Sequence, residues 1–252
     1  MNPQWITRSL RELYRSFHEI LEDDAQIILE EAAIGVEVSK QQYDQRKRWS
    51  HDPHLIPQPW GYLIDPERPL RFRTSNAVRG LEPRVDVYST VLWMDENDPP
   101  THQNTHLRVW SNSAYAFRES LDAPSVFEKL ADPSREFSGR VMWRCHFDLA
   151  KSGQSGPRYH LQFGGNARDY ELCWLPEIIN LPRLAFPPMD LILVCQLVAA
   201  NFFWDKYSEF HESPEWITVL RYSQEHLLKN YYEKCLQAVA DNEPVLDQLW
   251  NV

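Results

Sequence analysis

Four residues close together in the chain, His146, Asp148, His160 and Gln162, have side chains that can move protons or hold a metal. They lie in RVMWRCHFDLAKSGQSGPRYHLQFGG, Arg140 to Gly165. Successive side chains of a strand point to opposite faces. Val141, Trp143, Cys145, Phe147 and Leu149 therefore share one face, and Arg140, Met142, Arg144, His146 and Asp148 the other. In the following run, Tyr159, Leu161 and Phe163 alternate with Arg158, His160 and Gln162. Lys151 to Gly156 has the composition of a turn, with glycines and serines. A turn centred on Gln154 sets Asp148 opposite His160 and His146 opposite Gln162. Opposed Cβ atoms in antiparallel strands lie about 4.5–5.5 Å apart. A carboxylate beside an imidazole is expected to raise its pKa and fix its tautomer. Such a cluster suits acid–base catalysis or a metal. The same alternation also describes a sheet with one apolar and one solvated face, where these residues form ordinary cross-strand pairs.

A weaker metal candidate is the pair His102 and His106, four apart and close after Asp95, Glu96 and Asp98. It lacks the closed ligand set of a zinc site, and DENDPPTHQNTH also reads as an exposed loop. A third candidate is the basic run Arg46, Lys47 and Arg48, which would project from a helix end as a binding element. Nucleophile elbow, phosphate loop, dinucleotide fingerprint and zinc-protease helix are all absent from the sequence. No cofactor is expected on these grounds.

The formal charge of −10 over 252 residues argues against a uniformly basic nucleic-acid surface and leaves only local basic patches. Cys145, Cys173, Cys195 and Cys235 fit neither zinc nor redox spacing. With no basic-then-apolar leader visible, the expectation is a cytoplasmic protein with free thiols. The longest apolar stretch, Leu191 to Trp204, is shorter than the roughly 20 residues that span a bilayer. No membrane association is expected.

The elements that must carry these residues read as follows. Apolar spacing predicts helices over 3–23 and 24–49, forming a helical pair in residues 1–50. Residues 51–252 read as the α+β core of what is one compact domain overall. Strands are expected near 61–64, 70–73, 85–94 and 106–110, then the hairpin, then 170–175. A short helix is expected from Ser125 to Leu130. Pro187, Pro188 and Asp190 announce a buried helix to about Tyr207, in which Gln196 and Asn201 are the polar exceptions. Ser213-Pro214 announces another. The fold class is α+β, a central antiparallel sheet with helices at both ends of the chain. The favoured function is a non-catalytic adaptor, regulator or complex subunit binding one or more protein partners. Its support is the acidic charge, the ten tryptophans and the missing catalytic motifs. The alternative is a metal-dependent or His/Asp acid–base hydrolase, a phosphodiesterase among them, built on the 140–165 hairpin.

Overall fold

The computed structural model describes residues 1–48, 58–74, 83–111, 140–150, 157–164 and 183–243. The helix expected at 125–130 and the strand at 170–175 lie outside these residues. Within them the fold is the expected α+β arrangement. Seven strands form an antiparallel sheet: β1 (Trp60–Ile64), β2 (Leu70–Arg71), β3 (Pro83–Trp93), β4 (His102–Ser111), β5 (Arg140–Leu149), β6 (Tyr159–Phe163) and β7 (Leu184–Ala185). Their order is β1-β3-β4-β5-β6-β7, and β2 pairs with β3 on the same edge as β1. The strand β4 begins at His102, earlier than expected, because Leu92 pairs with His102 and its carbonyl accepts from the Thr101 N–H at 2.8 Å.

Helices α1 (Pro3–Phe17), α2 (Ala25–Arg48), α3 (Leu191–Phe202), α4 (Trp204–Phe210), α5 (Pro214–Ser223) and α6 (Asn230–Ala240) complete the described fold. In α1 the Asn2 carboxamide caps the Gln4 N–H at 2.9 Å, and Pro3 opens the first turn. Ile6, Leu10, Leu13 and Phe17 then recur on one buried face. The helix stops at Phe17 rather than running to residue 23. Beyond it the backbone joins the sheet edge, with Arg73 N–H on the Ile20 carbonyl at 2.8 Å and Glu22 N–H on that of Arg71 at 3.0 Å.

The helix after Asp190 is likewise shorter than expected. Asp190 caps it, accepting from the Leu193 N–H at 3.0 Å and the Ser223 hydroxyl at 2.8 Å. It breaks at Phe203, whose backbone leaves the helical region, and α4 starts afresh. Gln196 donates to the Tyr207 hydroxyl at 3.0 Å, and Asn201 to the Leu197 carbonyl in its own helix at 2.8 Å. Both amides thus find partners in the helical segment itself. Ser213 and Pro214 start α5 as the sequence indicates, the serine accepting from the Trp216 N–H at 3.1 Å. A π-helical stretch, Gln224–Lys229, joins α5 to α6.

The helices cover one sheet face. Val85, Val87, Val91 and Trp93 of β3, Leu107 and Val109 of β4, and Cys145 and Phe147 of β5 pack with α1, α2, α3 and α5 in one core. The expected helical pair is therefore part of that core. Gly61 marks the tightest approach of β1 to β3: a Cβ there would stand 2.0 Å from the Val91 carbonyl oxygen. No described helix is long and apolar enough to cross a membrane.

Candidate functional site

The other sheet face carries the chemistry, and strand pairing arranges it in rows. Tyr88, His106, His146 and Gln162 are successive partners across β3, β4, β5 and β6. On one side runs Asp86, Arg108 and Arg144; on the other Thr90, Asn104, Asp148 and His160. The pairings Asp148 with His160 and His146 with Gln162 are those expected from a turn centred on Gln154.

The face is not the solvated surface that alternation suggests. Arg108 and Arg144 are 4% exposed, His146 8% and His160 3%. The His146 Nε2 atom lies 3.2 Å from Gln162 Oε1 and 3.3 Å from Asp148 Oδ2. The His160 Nε2 atom lies 4.0 Å from the same Asp148 oxygen. One ligand atom from each of His146, Asp148 and His160 falls within 4.8 Å of the others. A tetrahedral zinc-type ion, with bonds of about 2.0–2.2 Å, needs donors about 3.3–3.6 Å apart. The trio is therefore set slightly wider than a filled site.

His160 defines the polarity of the site. Its Nδ1 is 3.2 Å from the Pro157 carbonyl, which can only accept, so Nδ1 carries the proton. In the neutral ring Nε2 then presents a lone pair toward the Asp148 carboxylate. Asp148 Oδ2 is a second acceptor 4.0 Å from it, and in the neutral His146 ring Nε2 carries the proton that Gln162 Oε1 and Asp148 Oδ2 can accept. A carbonyl holding the far nitrogen of a histidine is the support that metal-ligating imidazoles ordinarily have.

The protonation expectation is reversed. Burial, with smaller contributions from Arg144 and Arg183, lowers the His146 pKa although Gln162 opposes it. Burial, then Arg183, pushes His160 down to about 4. Desolvation and the arginines outweigh the nearby carboxylate. Both rings are neutral near pH 7, as metal ligands must be.

Further residues share the face with the trio, and of these only His106 was singled out in the sequence. Arg108 donates to Asp86 at 3.3 Å and to the Pro66 carbonyl at 3.2 Å, and Trp110 Nε1 donates to Asp86 at 2.8 Å. The His106 ring stacks on Tyr88, centroids 4.4 Å apart, and stands 5.1 Å from that of His146. Parity extended from β5 to β4 would have put His106 and Arg108 on this face. Arg183 has no such local signal, since it enters beside β7, which pairs with His160.

The weaker candidates separate. His106 belongs to the ring row, while His102 sits at the far end of β4, opposite Leu92. The two share a face but are four residues apart on a strand, about 13 Å at about 3.3 Å per residue. They are too distant to bind one ion. Arg46, Lys47 and Arg48 form the last turn of α2, where cations suit the helix dipole. Lys47 reaches Asp95 at 3.7 Å, and Arg48 lines a groove between α1 and α2.

Comparison of the chain with family models, curated proteins and solved structures finds no match.

Proposed function

We propose that the polar sheet face binds one divalent transition-metal ion through His146, Asp148 and His160, and that the protein is a metal-dependent hydrolase. The observation behind this reading is the pair of acceptors, His160 Nε2 and Asp148 Oδ2, that face each other with His146 Nε2 beside them. A metal ion there would be coordinated by both, with the His146 proton moved from Nε2 to Nδ1. Three protein ligands leave a fourth position for water, the pattern of catalytic rather than structural zinc sites. Gln162 Oε1, next to His146 Nε2, is placed to orient that water. A metal at this position would bring the bound water's pKa near 7 and supply the nucleophile. The buried imidazoles favour this over direct His/Asp acid–base catalysis, since a ring with a pKa of about 4 is a poor proton carrier at neutral pH.

Metal titration of chelator-stripped protein tests the reading. Zinc or manganese should bind at one equivalent in the wild type and be lost in His160→Ala and Asp148→Ala. Absence of binding in folded wild-type protein would overturn it.

A second reading, as a protein-interaction subunit, is supported by the groove of about 890 Å³ between α1 and α2. Arg8, Arg11, Arg15 and Arg48 line it, with Lys40, Glu37 and Asp44. Much of this charge is already paired, Arg11 with Glu30 at 2.7 Å and Lys40 with Asp44 at 2.6 Å. The groove therefore suits a modest contact at its rim. Arg46→Glu with Arg48→Glu should weaken native partner capture without unfolding the protein; unchanged capture of every partner would place any docking surface elsewhere.

A further inference from the structure

We infer that the groove between α1 and α2 docks an acidic segment of a partner protein, with Arg8 and Arg48 as the groups that take its carboxylates. The inference rests on the interaction reading above and adds the chemistry of the partner. Residues 2–15 form one wall and residues 37–48 the other, with Glu96 beside Lys40. Most of the lining charge closes on the protein itself. Arg11 is held by Glu30 and Glu37 at 2.7 and 3.4 Å, Arg15 by Glu12 at 3.1 Å, and Lys40 by Asp44 and Glu96 at 2.6 and 2.9 Å. Arg8 and Arg48 differ. They stand one on each wall, both exposed, and form no side-chain hydrogen bond or ion pair with the described residues. Arg8 lies over the Trp5 ring at 5.0 Å, and Trp5 stacks on Tyr222 at 5.1 Å. A guanidinium stacked on a ring keeps its in-plane N–H fork open to a carboxylate, and it loses less freedom when it takes one.

Two features favour a peptide over a nucleic acid. Glu37, Asp44 and Glu96 also line the groove, and their charges oppose the closely spaced phosphates of a nucleic-acid strand. A peptide can set single carboxylates among uncharged residues and so meet the two arginines without crowding the acids. Gln41 and Gln45, on the wall that carries Arg48, are exposed and form no side-chain hydrogen bond with the described residues. Their carboxamides can both donate to and accept from a peptide backbone. Charges at such a rim set rate and selectivity more than affinity, so the contact is modest and sensitive to salt.

The test follows a short labelled peptide of alternating glutamate and alanine by fluorescence anisotropy on the full chain. The same peptide with glutamine for glutamate is the neutral comparison, and oligothymidylate the nucleic-acid comparison. The acidic peptide should bind more tightly than either, and more weakly as salt is raised. Arg8→Gln and Arg48→Gln should each weaken it about threefold to tenfold with the unfolding midpoint unchanged, since both side chains are exposed. Arg158→Gln, at an exposed position just before β6, should leave binding unchanged. No binding of the acidic peptide, equal binding of the neutral one, or acidic-peptide affinity unchanged in both groove variants would each overturn the inference. Tighter binding of oligothymidylate through the same two arginines would overturn it in favour of a nucleic acid. The docking reading fails separately, by native partner capture that Arg46→Glu with Arg48→Glu leaves unchanged.

Discussion

Protonation of His160 should cost this fold a measurable share of its stability. Burial and Arg183 lower its pKa from 6.5 to about 4. Unfolded, the ring regains its ordinary value near 6.5. As pH falls, the unfolded chain takes up the proton first, so acid favours unfolding. The contribution is complete above pH 6.5, is lost as pH falls toward 4, and changes no further below that. Linkage with these two values gives a loss of about 1 kcal/mol near pH 5.5 and about 2 kcal/mol near pH 4.5, relative to neutrality. The perturbation is His160→Asn, whose amide can still donate toward the Pro157 carbonyl but does not titrate. Urea unfolding of metal-free protein at several pH values measures both proteins. Other groups, including His146, titrate in both, so the difference between the two curves isolates His160. The wild type should lose stability faster on acidification by about the amounts given. Parallel curves would refute the argument and mean that the ring is solvated or already charged in the native state.

Three further outcomes follow from packing. Leu193→Ala, at a position 4% exposed, should cost about 2–5 kcal/mol in denaturant unfolding, whereas half-buried Leu197→Ala should cost clearly less; equal losses would mean that α3 does not present the described face. Gly61→Ala should destabilise by about 1–3 kcal/mol, because the added methyl meets the Val91 carbonyl at 2.0 Å and β1 must shift; an unchanged unfolding midpoint would contradict that contact. Asp190→Ala removes the α3 cap and strands the buried Ser223 hydroxyl, for an expected loss of about 1–3 kcal/mol. A loss below about 0.5 kcal/mol would show that solvent reaches both groups.

Much of the scaffold was legible because it depends on local chemistry. Ser213-Pro214 and Asp190 start helices for the reasons that serine, aspartate and proline favour such positions. The β5–β6 register followed from strand parity and a turn of evident composition. Helix ends were less legible. The apolar spacing of α1 continues through Ile20 and Leu21, but tertiary hydrogen bonds to Arg71 and Arg73 divert the backbone after Phe17. The tryptophans were only half legible. Their number suggested interfaces, yet Trp60, Trp93 and Trp216 are fully buried, Trp60 stacked on Trp93 and Trp216 against Phe17. The shared face and pairing of the four hairpin residues were legible, but their environment was not. Alternation states which side chains share a face and says nothing of whether that face meets water. Burial reverses the direction in which the imidazole pKa values move.

The overall charge of −10 is for the same reason a poor guide to this face. Many acidic groups lie on the outer surface, where Glu30, Glu37, Asp23 and Glu31 pair with exposed or half-exposed arginines. Such contacts are screened by solvent and contribute little. The polar sheet face has the opposite balance among the described residues: Arg71, Arg84, Arg108 and Arg144 share it with Asp86 and Asp148. A charge buried in a low-dielectric wall acts over a longer range than one on the surface, and a concave arrangement focuses its field. The described part of the face therefore carries a sign opposite to that of the whole chain. A sheet carrying buried arginines and two neutral imidazoles is costly to fold for structural reasons alone, since apolar residues would pack there more favourably.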